Sequence, residues 1–265
     1  MINGTEKILV SCDGPVATVT FNDPSTLNAL TAQFLTDFRQ ILRSIEKTPE
    51  IKVVILTGAG KAFIAGADIT YMRTMTPLQA SQYARDIVEL YRIIEEMDRV
   101  FIAAVNGYAL GGGFELSLAC DLRVASEKAR FGLPEVSLGI FPGGGGTQRL
   151  PRLVGEAVAK ELIFTADTVK AQRALEIGMV NTVVEPDKLM ETAYALAARI
   201  CKNSLSAVAL AKRSINGGAQ MGLDAAIERD QGLFGMCFGT PDQQEGMAAF
   251  QEKRSPVFEH QRSAQ

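Results

Sequence analysis

The chain has 265 residues, 47% of them hydrophobic and 22% charged, a composition that buries a sizeable core in one large domain or one domain plus a small appendage. Its net charge of −3 excludes a general attraction to nucleic acid or to acidic membrane surfaces. The single histidine, His260, sits in a polar tail, which removes Ser-His-Asp, Cys-His and most histidine-based metal chemistry.

The opening residues, "MINGTEKILV", lack the charged start, apolar stretch and small-residue cleavage site of a secretory signal. A reducing cytoplasm is the expected location, and no apolar run of about 18 residues predicts a membrane span. "KILVSCDG" and "VATVTFND", separated by Gly14-Pro15, read as paired strands. "LTAQFLTDFRQILRSIEKT" reads as a helix, because Phe34, Phe38, Ile41, Leu42 and Ile45 keep the spacing of one face. The theme then returns with "KVVILTGAG" as a buried strand, "KAFIAGADI" as a loop, and a long helix around "QASQYARDIVELYRIIEEMD". It returns again as the strand "VFIAAVNGYAL", three glycines and "FELSLACD". A fourth version runs through "LRVASEKARFGLPE" into "GGTQRLPRLVGEAVAKELIFT".

Recurrent strand-then-helix units without a strict repeat predict an α/β fold with parallel pairing and stacked turns. From about Asp187 the pattern is helical only, and the division expected is a core over 1–190 and a C-terminal helical region over 191–265 for capping and oligomerisation. Cys12, Cys120, Cys201 and Cys237 lie far apart and form no CxxC, so buried or partly buried free thiols are expected and no metal site.

Two loops are built alike: an apolar strand followed by small residues, "FIAGADI" in one unit and "ALGGGFE" in the next. Small residues let a ligand approach main-chain N–H groups, and two such groups converging on one point bind a developing oxyanion. Tight packing of helix on strand explains glycines equally well when each loop is taken alone. Glu115 falls in the first turn of the helix the glycines open, where the helix dipole favours a carboxylate, yet Phe114, Leu116 and Leu118 around it are apolar. Glu135 follows Pro134, a frequent helix-start pattern. Two glutamates flanking one glycine-lined pocket would push their protonation equilibria apart and so divide acid and base roles.

The combination of "PSTLNAL", "FIAGADI", "AAVNGYALGGGFELSLACD", "ARFGLPEVSLGIFPGGGGTQRLPRLVG" and "EGMAAFQEKR" resembles the crotonase superfamily, most closely its short-chain enoyl-CoA hydratases, over essentially the whole chain. The resemblance implies a spiral of ββα units with a C-terminal helical part, and homotrimers that pair into hexamers. It implies reversible syn addition of water to a trans-2-enoyl-CoA, giving a 3-hydroxyacyl-CoA. No cofactor is implied, coenzyme A being part of the substrate. By position, Ala67 and Gly112 match the residues whose amides hold the thioester oxygen, and Glu115 and Glu135 match the two catalytic glutamates. Glu115 is assigned to the water and Glu135 to the α-carbon proton. Leu27 and Ala65 fall where the family cradles adenine, Gly66, Asp68, Ile69 and Thr70 continue that substrate-binding loop, and Lys253 matches a basic residue near the phosphates, sometimes supplied by a neighbouring subunit. Thr70 stands where many hydratases have lysine and Phe114 where cysteine is frequent, so one ligand contact and the acyl pocket differ from the family pattern.

Alternatives within the superfamily are an enoyl-CoA isomerase, a cyclic dienoyl-CoA hydratase or a non-catalytic binding homologue. Siblings with other chemistry often lack a carboxylate at the position of Glu115, and retention of both favours hydration. Outside it, neither "GGGFEL" nor "GGGGTQ" completes GxGxxG, "GAGKAF" lacks the rest of a P-loop, and G-x-S-x-G is absent.

Overall fold

The computed structural model describes residues 2–259, so His260 lies outside the described residues. The first hairpin pairs β1 (Ile8–Asp13) with β2 (Val16–Phe21) antiparallel. Helix α1 (Ala32–Glu46) starts at Thr31, whose hydroxyl accepts the Phe34 N–H, and buries Phe34, Phe38, Ile41, Leu42 and Ile45.

The next three units each give one strand to a large sheet and then one to a small sheet. They are β3 (Val53–Gly58) with β4 (Ala62–Ile64), β5 (Val100–Val105) with β6 (Tyr108–Leu110), and β7 (Leu122–Ser126) with β8 (Arg130–Gly132). The one-turn α2 (Ile69–Met72) and the long α3 (Pro77–Glu96) follow the first unit, and α4 (Gly112–Ala119) follows the second. A 3₁₀ turn at Pro134–Leu138, then α5 (Gly146–Val154) and α6 (Glu156–Thr165), follow the third. After these come β9 (Val169–Lys170), α7 (Ala171–Glu176) and β10 (Thr182–Val184). The large sheet has the order β1-β2-β3-β5-β7-β10 and the small one β4-β6-β8-β9, with parallel pairing except at β1-β2 and β8-β9. This is the mixed α/β fold with mostly parallel pairing that the recurrent units predict, and it fits the ββα spiral that the resemblance implies.

Two sequence expectations change. The stretch "KAFIAGADI" is not all loop, because Ala62–Ile64 pairs with β6 and α2 begins at Ile69. "VFIAAVNGYAL" is two strands in different sheets, and the break has a local cause at Asn106-Gly107. The Asn106 side chain accepts the Gly58 N–H at 3.1 Å and donates to Gly60 O and Ala62 O, each at 3.1 Å. A side chain on Gly107 would overlap the Lys61 carbonyl, so only glycine lets the chain cross from one sheet to the other there.

The main core lies between the sheets and helices α1, α3 and α4, with Phe21 in ring contact with Phe34, Phe38 and Phe63. A second core covers the other face of the large sheet, where Leu189, Ala193 and Ala197 of α8 (Leu189–Cys201) meet Val53, Ile55, Val100 and Ile102. Helices α9 (Leu205–Gly218), α10 (Leu223–Cys237) and α11 (Pro241–Gln251) follow. Lys212 of α9 fastens them to the core: its ammonium donates to Ile94 O and Arg99 O at 2.8 Å and to Asp121 Oδ2 at 2.9 Å. All four cysteines are free, but Cys12 is exposed rather than buried, because it lies on the outer edge strand β1. Among the described residues no helix is long and apolar enough to cross a membrane.

Candidate active site

The site begins with the peptide around Ala67. Leu30 N–H donates to Gly66 O at 2.9 Å and Asp68 N–H donates to Leu30 O at 3.3 Å, the pattern of one parallel bridge. That pattern engages the residues on either side of Ala67 and turns Ala67's own N–H the other way. No acceptor among the described residues takes it.

The glycine loop supplies the second amide. Gly111 adopts φ 51°, ψ −128°, a conformation open to glycine and costly for any residue with a Cβ. Gly112 is then the first residue of α4, whose N–H has no intrahelical partner. Gly113 is a packing glycine, since a Cβ there would stand 2.6 Å from Ile64 Cβ. The two loops adjoin: the point where a Gly111 side chain would begin lies 3.8 Å from Gly66 Cα. Leu30 joins them, because its backbone brackets Ala67 while its Cδ1 stands 2.5 Å from the Cβ position of Gly112.

Glu115 is 2% exposed, and its carboxylate is held by two main-chain amides. Gly144 N–H donates to Oε2 at 3.0 Å and Gly146 N–H to Oε1 at 2.7 Å. Both donors must be glycine, because a Cβ at either position would run into that carboxylate. Burial pushes the Glu115 carboxyl up, and the Gly146 and Gly144 amides and Arg149 oppose the shift. Arg149 stands behind them, paired with both oxygens of Glu95 at 2.6 and 2.8 Å and donating to Gly144 O at 2.8 Å.

Glu135 approaches from the 3₁₀ turn, its Oε1 standing 3.0 Å from the Cβ position of Gly111. Its Oε2 is buried with no hydrogen-bond partner among the described residues. Burial, and then the neighbouring Glu115 charge, push its carboxyl up to about 7. The two acids therefore sit in different surroundings: Glu115 with two amide donors, Glu135 with one oxygen that has no partner among the described residues.

Leu27 and Ala65 also meet, Ala65 N–H donating to Leu27 O at 3.1 Å. The Leu27 turn has two successive left-handed residues, Leu27 (φ 56°) and Asn28 (φ 61°). The buried Asn28 amide pins it by donating to Ala59 O, Ala62 O and Phe63 O. The Asp68 carboxylate is used as the N-cap of α2, accepting the Tyr71 N–H at 3.2 Å, and Ile69 and Thr70 are exposed in that helix. Lys253 lies on an exposed turn after α11, and no backbone hydrogen bond among the described residues joins it to the Leu27 or Ala65 segments. A cavity of about 730 Å³ between the β1–β2 turn and α9 is lined by none of these residues.

The family profile described as Enoyl-CoA hydratase/isomerase matches residues 12–261. The chain belongs to this family. Among relatives in the enoyl-CoA hydratase/isomerase family, it is 49% identical over 249 residues to a short-chain-enoyl-CoA hydratase of Clostridium acetobutylicum, covering 94% of this chain and 95% of that one. It is 43% identical over 254 residues to a crotonyl-CoA hydratase of Syntrophomonas wolfei, covering 96% and 98%. A crystal structure of an enoyl-CoA hydratase from Bacillus anthracis superposes with a TM-score of 0.92 at 41% identity, covering 96% of this chain and 99% of that one.

The residues that support the site are less legible in the sequence than the glutamates and small-residue loops. The only local sign of the Gly144 and Gly146 donors is the glycine cluster that follows Glu135. Leu30, Tyr83, Tyr91, Glu95 and Arg149 carried no local signal.

Proposed function

We propose that this chain is an enoyl-CoA hydratase acting on short trans-2-enoyl-CoA thioesters, with Ala67 and Gly112 amides as the oxyanion hole and Glu115 and Glu135 as the acid–base pair. The observation that carries this reading is the contrast between the two carboxyls at one glycine loop. Each Glu115 oxygen accepts one main-chain amide and keeps a second lone pair for water. Glu135 is pushed up to about 7 and so keeps a proton on a substantial fraction of molecules at neutral pH.

The step balances as follows. A water O–H bond breaks towards Glu115 as the water oxygen bonds to the β-carbon, and charge collects on the thioester oxygen between the two amides. The Glu135 O–H bond breaks and its proton goes to the α-carbon. Proton exchange with solvent returns Glu115 to its ionised and Glu135 to its protonated form. Hydroxyl and proton together are one water, so the addition is redox-neutral.

Leu27 and Ala65, with Gly66, Asp68, Ile69 and Thr70, form the lip for the coenzyme A portion. A homotrimer or its paired hexamer supplies Lys253 from a neighbouring subunit. Assembly is supported by α10, which has no buried residue and exposes Leu223, Ile227, Phe234 and Met236.

The test follows loss of the conjugated enoyl absorbance when crotonyl-CoA is mixed with the protein. Glu115→Gln and Glu135→Gln should each lower the rate by about 10²–10⁴ while coenzyme A ester binding survives. An unchanged rate in either variant refutes the roles, and conversion of 3-enoyl-CoA isomers without hydration of crotonyl-CoA assigns the chain to isomerisation instead.

A further inference from the structure

The glycines that make room in this site also remove its stiffness. Helix α4 is eight residues long, opens on two glycines and has no side-chain cap, because its N-cap is Gly111. First turns with free N–H groups need an outside tie to hold their direction. The turn carrying Gly144 and Gly146 has the same weakness, and one ridge of α3 reaches both.

Tyr83, Ile87, Tyr91 and Glu95 recur every four residues, the spacing that stacks side chains into a single ridge. The Tyr83 hydroxyl donates to Leu30 O at 2.9 Å, the carbonyl that also accepts the Asp68 N–H beside Ala67. Ile87 Cγ2 lies 3.0 Å from the Cβ position of Gly144. The fully buried Tyr91 hydroxyl donates to Gly112 O at 2.6 Å. Glu95 fixes Arg149, whose third nitrogen holds Gly144 O, and the Arg149 guanidinium lies 5.9 Å over the Tyr91 ring. Each member thus bears from behind on a different part of the site: Tyr83 on the Leu30 carbonyl that brackets Ala67, Ile87 on the Gly144 position of the Glu115 cradle, Tyr91 on the Gly112 carbonyl and Glu95 on the Arg149 anchor.

We propose that this ridge of α3 is the device that sets the two oxyanion amides and Glu115 in register, with Tyr83 and Tyr91 as positioning residues for the amides and Glu95 for the Glu115 cradle. The inference rests on the hydratase reading and deepens it. No member of the ridge needs to touch substrate. A displacement of about 1 Å at a reacting group costs on the order of 10²-fold in rate, so ties of this kind act on turnover rather than on binding.

Tyr91→Phe removes one oxygen and keeps the ring. Its kcat on crotonyl-CoA should fall at least about tenfold, with KM within about twofold and an unfolding temperature close to that of the parent. Infrared difference spectra with butyryl-CoA labelled with carbon-13 at the carbonyl read the amides directly, because this saturated thioester cannot be hydrated. The parent should lower the carbonyl stretch relative to free ester, and Tyr91→Phe should lose part of that lowering. Tyr83→Phe should do the same through the Ala67 half, and it serves as the second variant if Tyr91→Phe does not fold. Glu95→Gln should lower kcat and leave the carbonyl stretch in place. Parental kcat and stretch in both tyrosine variants overturn the inference while leaving the hydratase reading intact. A parent protein inert towards crotonyl-CoA sinks the hydratase reading and this inference with it.

Discussion

Replacing Glu135 by glutamine should trade activity for stability, and in a pH-dependent way. The Glu135 carboxyl is held at about 7 by burial and by the Glu115 charge, against 4.5 for the ordinary group. A carboxyl raised in the folded state favours folding in its protonated form, so its contribution is fully present below the unfolded value and is lost as pH rises from about 4.5 to about 7. At about 1.4 kcal/mol per unit, the interval amounts to about 3 kcal/mol at most, and contact with solvent reduces it to about 1–2 kcal/mol. Glutamine cannot ionise and escapes this loss. The unfolding temperature of Glu135→Gln relative to the parent should therefore rise by about 2–8 °C between pH 5 and pH 8, at about 2–4 °C per kcal/mol. Thermal melts of both proteins at pH 5, 6, 7 and 8 read the difference, and the pH dependence separates ionisation from any pH-independent effect of the amide. An offset between the two proteins that stays constant from pH 5 to 8 would refute the claim that Glu135 is strained by ionisation.

The same raised carboxyl predicts the alkaline limb of catalysis: kcat/KM for crotonyl-CoA hydration should fall about tenfold per unit above pH 7, and a profile flat to pH 9 contradicts a protonated Glu135. Burial also raises Glu115, so the acid limb should lie above the ordinary carboxylate range in the same profile. Gly113→Ala places a methyl group 2.6 Å from Ile64 Cβ, which forces a shift of about 1 Å at the start of α4. A loss of about 10²-fold in kcat and about 1–3 kcal/mol in stability should follow, measured by steady-state kinetics and denaturant titration. Lys212→Ala should cost about 3–5 kcal/mol in the same titration, because it removes a buried cation and leaves the partly buried Asp121 carboxylate without it.

Much of the framework was legible because local rules and the fold agree. The α1 stripe has helical period and buries the residues its spacing selects. The run at β5 is apolar throughout and that at β3 is apolar from Val53 to Leu56, as strands covered on both faces must be. Legibility failed where an element was too short to show a period: β4, β9 and β10 have two or three residues and owe their existence to neighbouring strands. It failed also at Asn106, whose break depends on carbonyls more than forty residues away in sequence.

The sequence by itself determined the chemistry on offer. It holds two glutamates, two loops of small residues able to present bare amides, and no histidine among residues 1–259 to support a rival mechanism. Tertiary structure alone decided how those parts work together. Tyr83, Tyr91 and Glu95 read along the chain as part of a helix buried on one side, and their polar atoms find Leu30, Gly112 and Arg149 only after the spiral has closed. Gly144 and Gly146 likewise lie about thirty residues from the carboxylate they hold. Hydrophobic period is a property of near neighbours, whereas a hydrogen bond between distant segments depends on where the fold brings both ends.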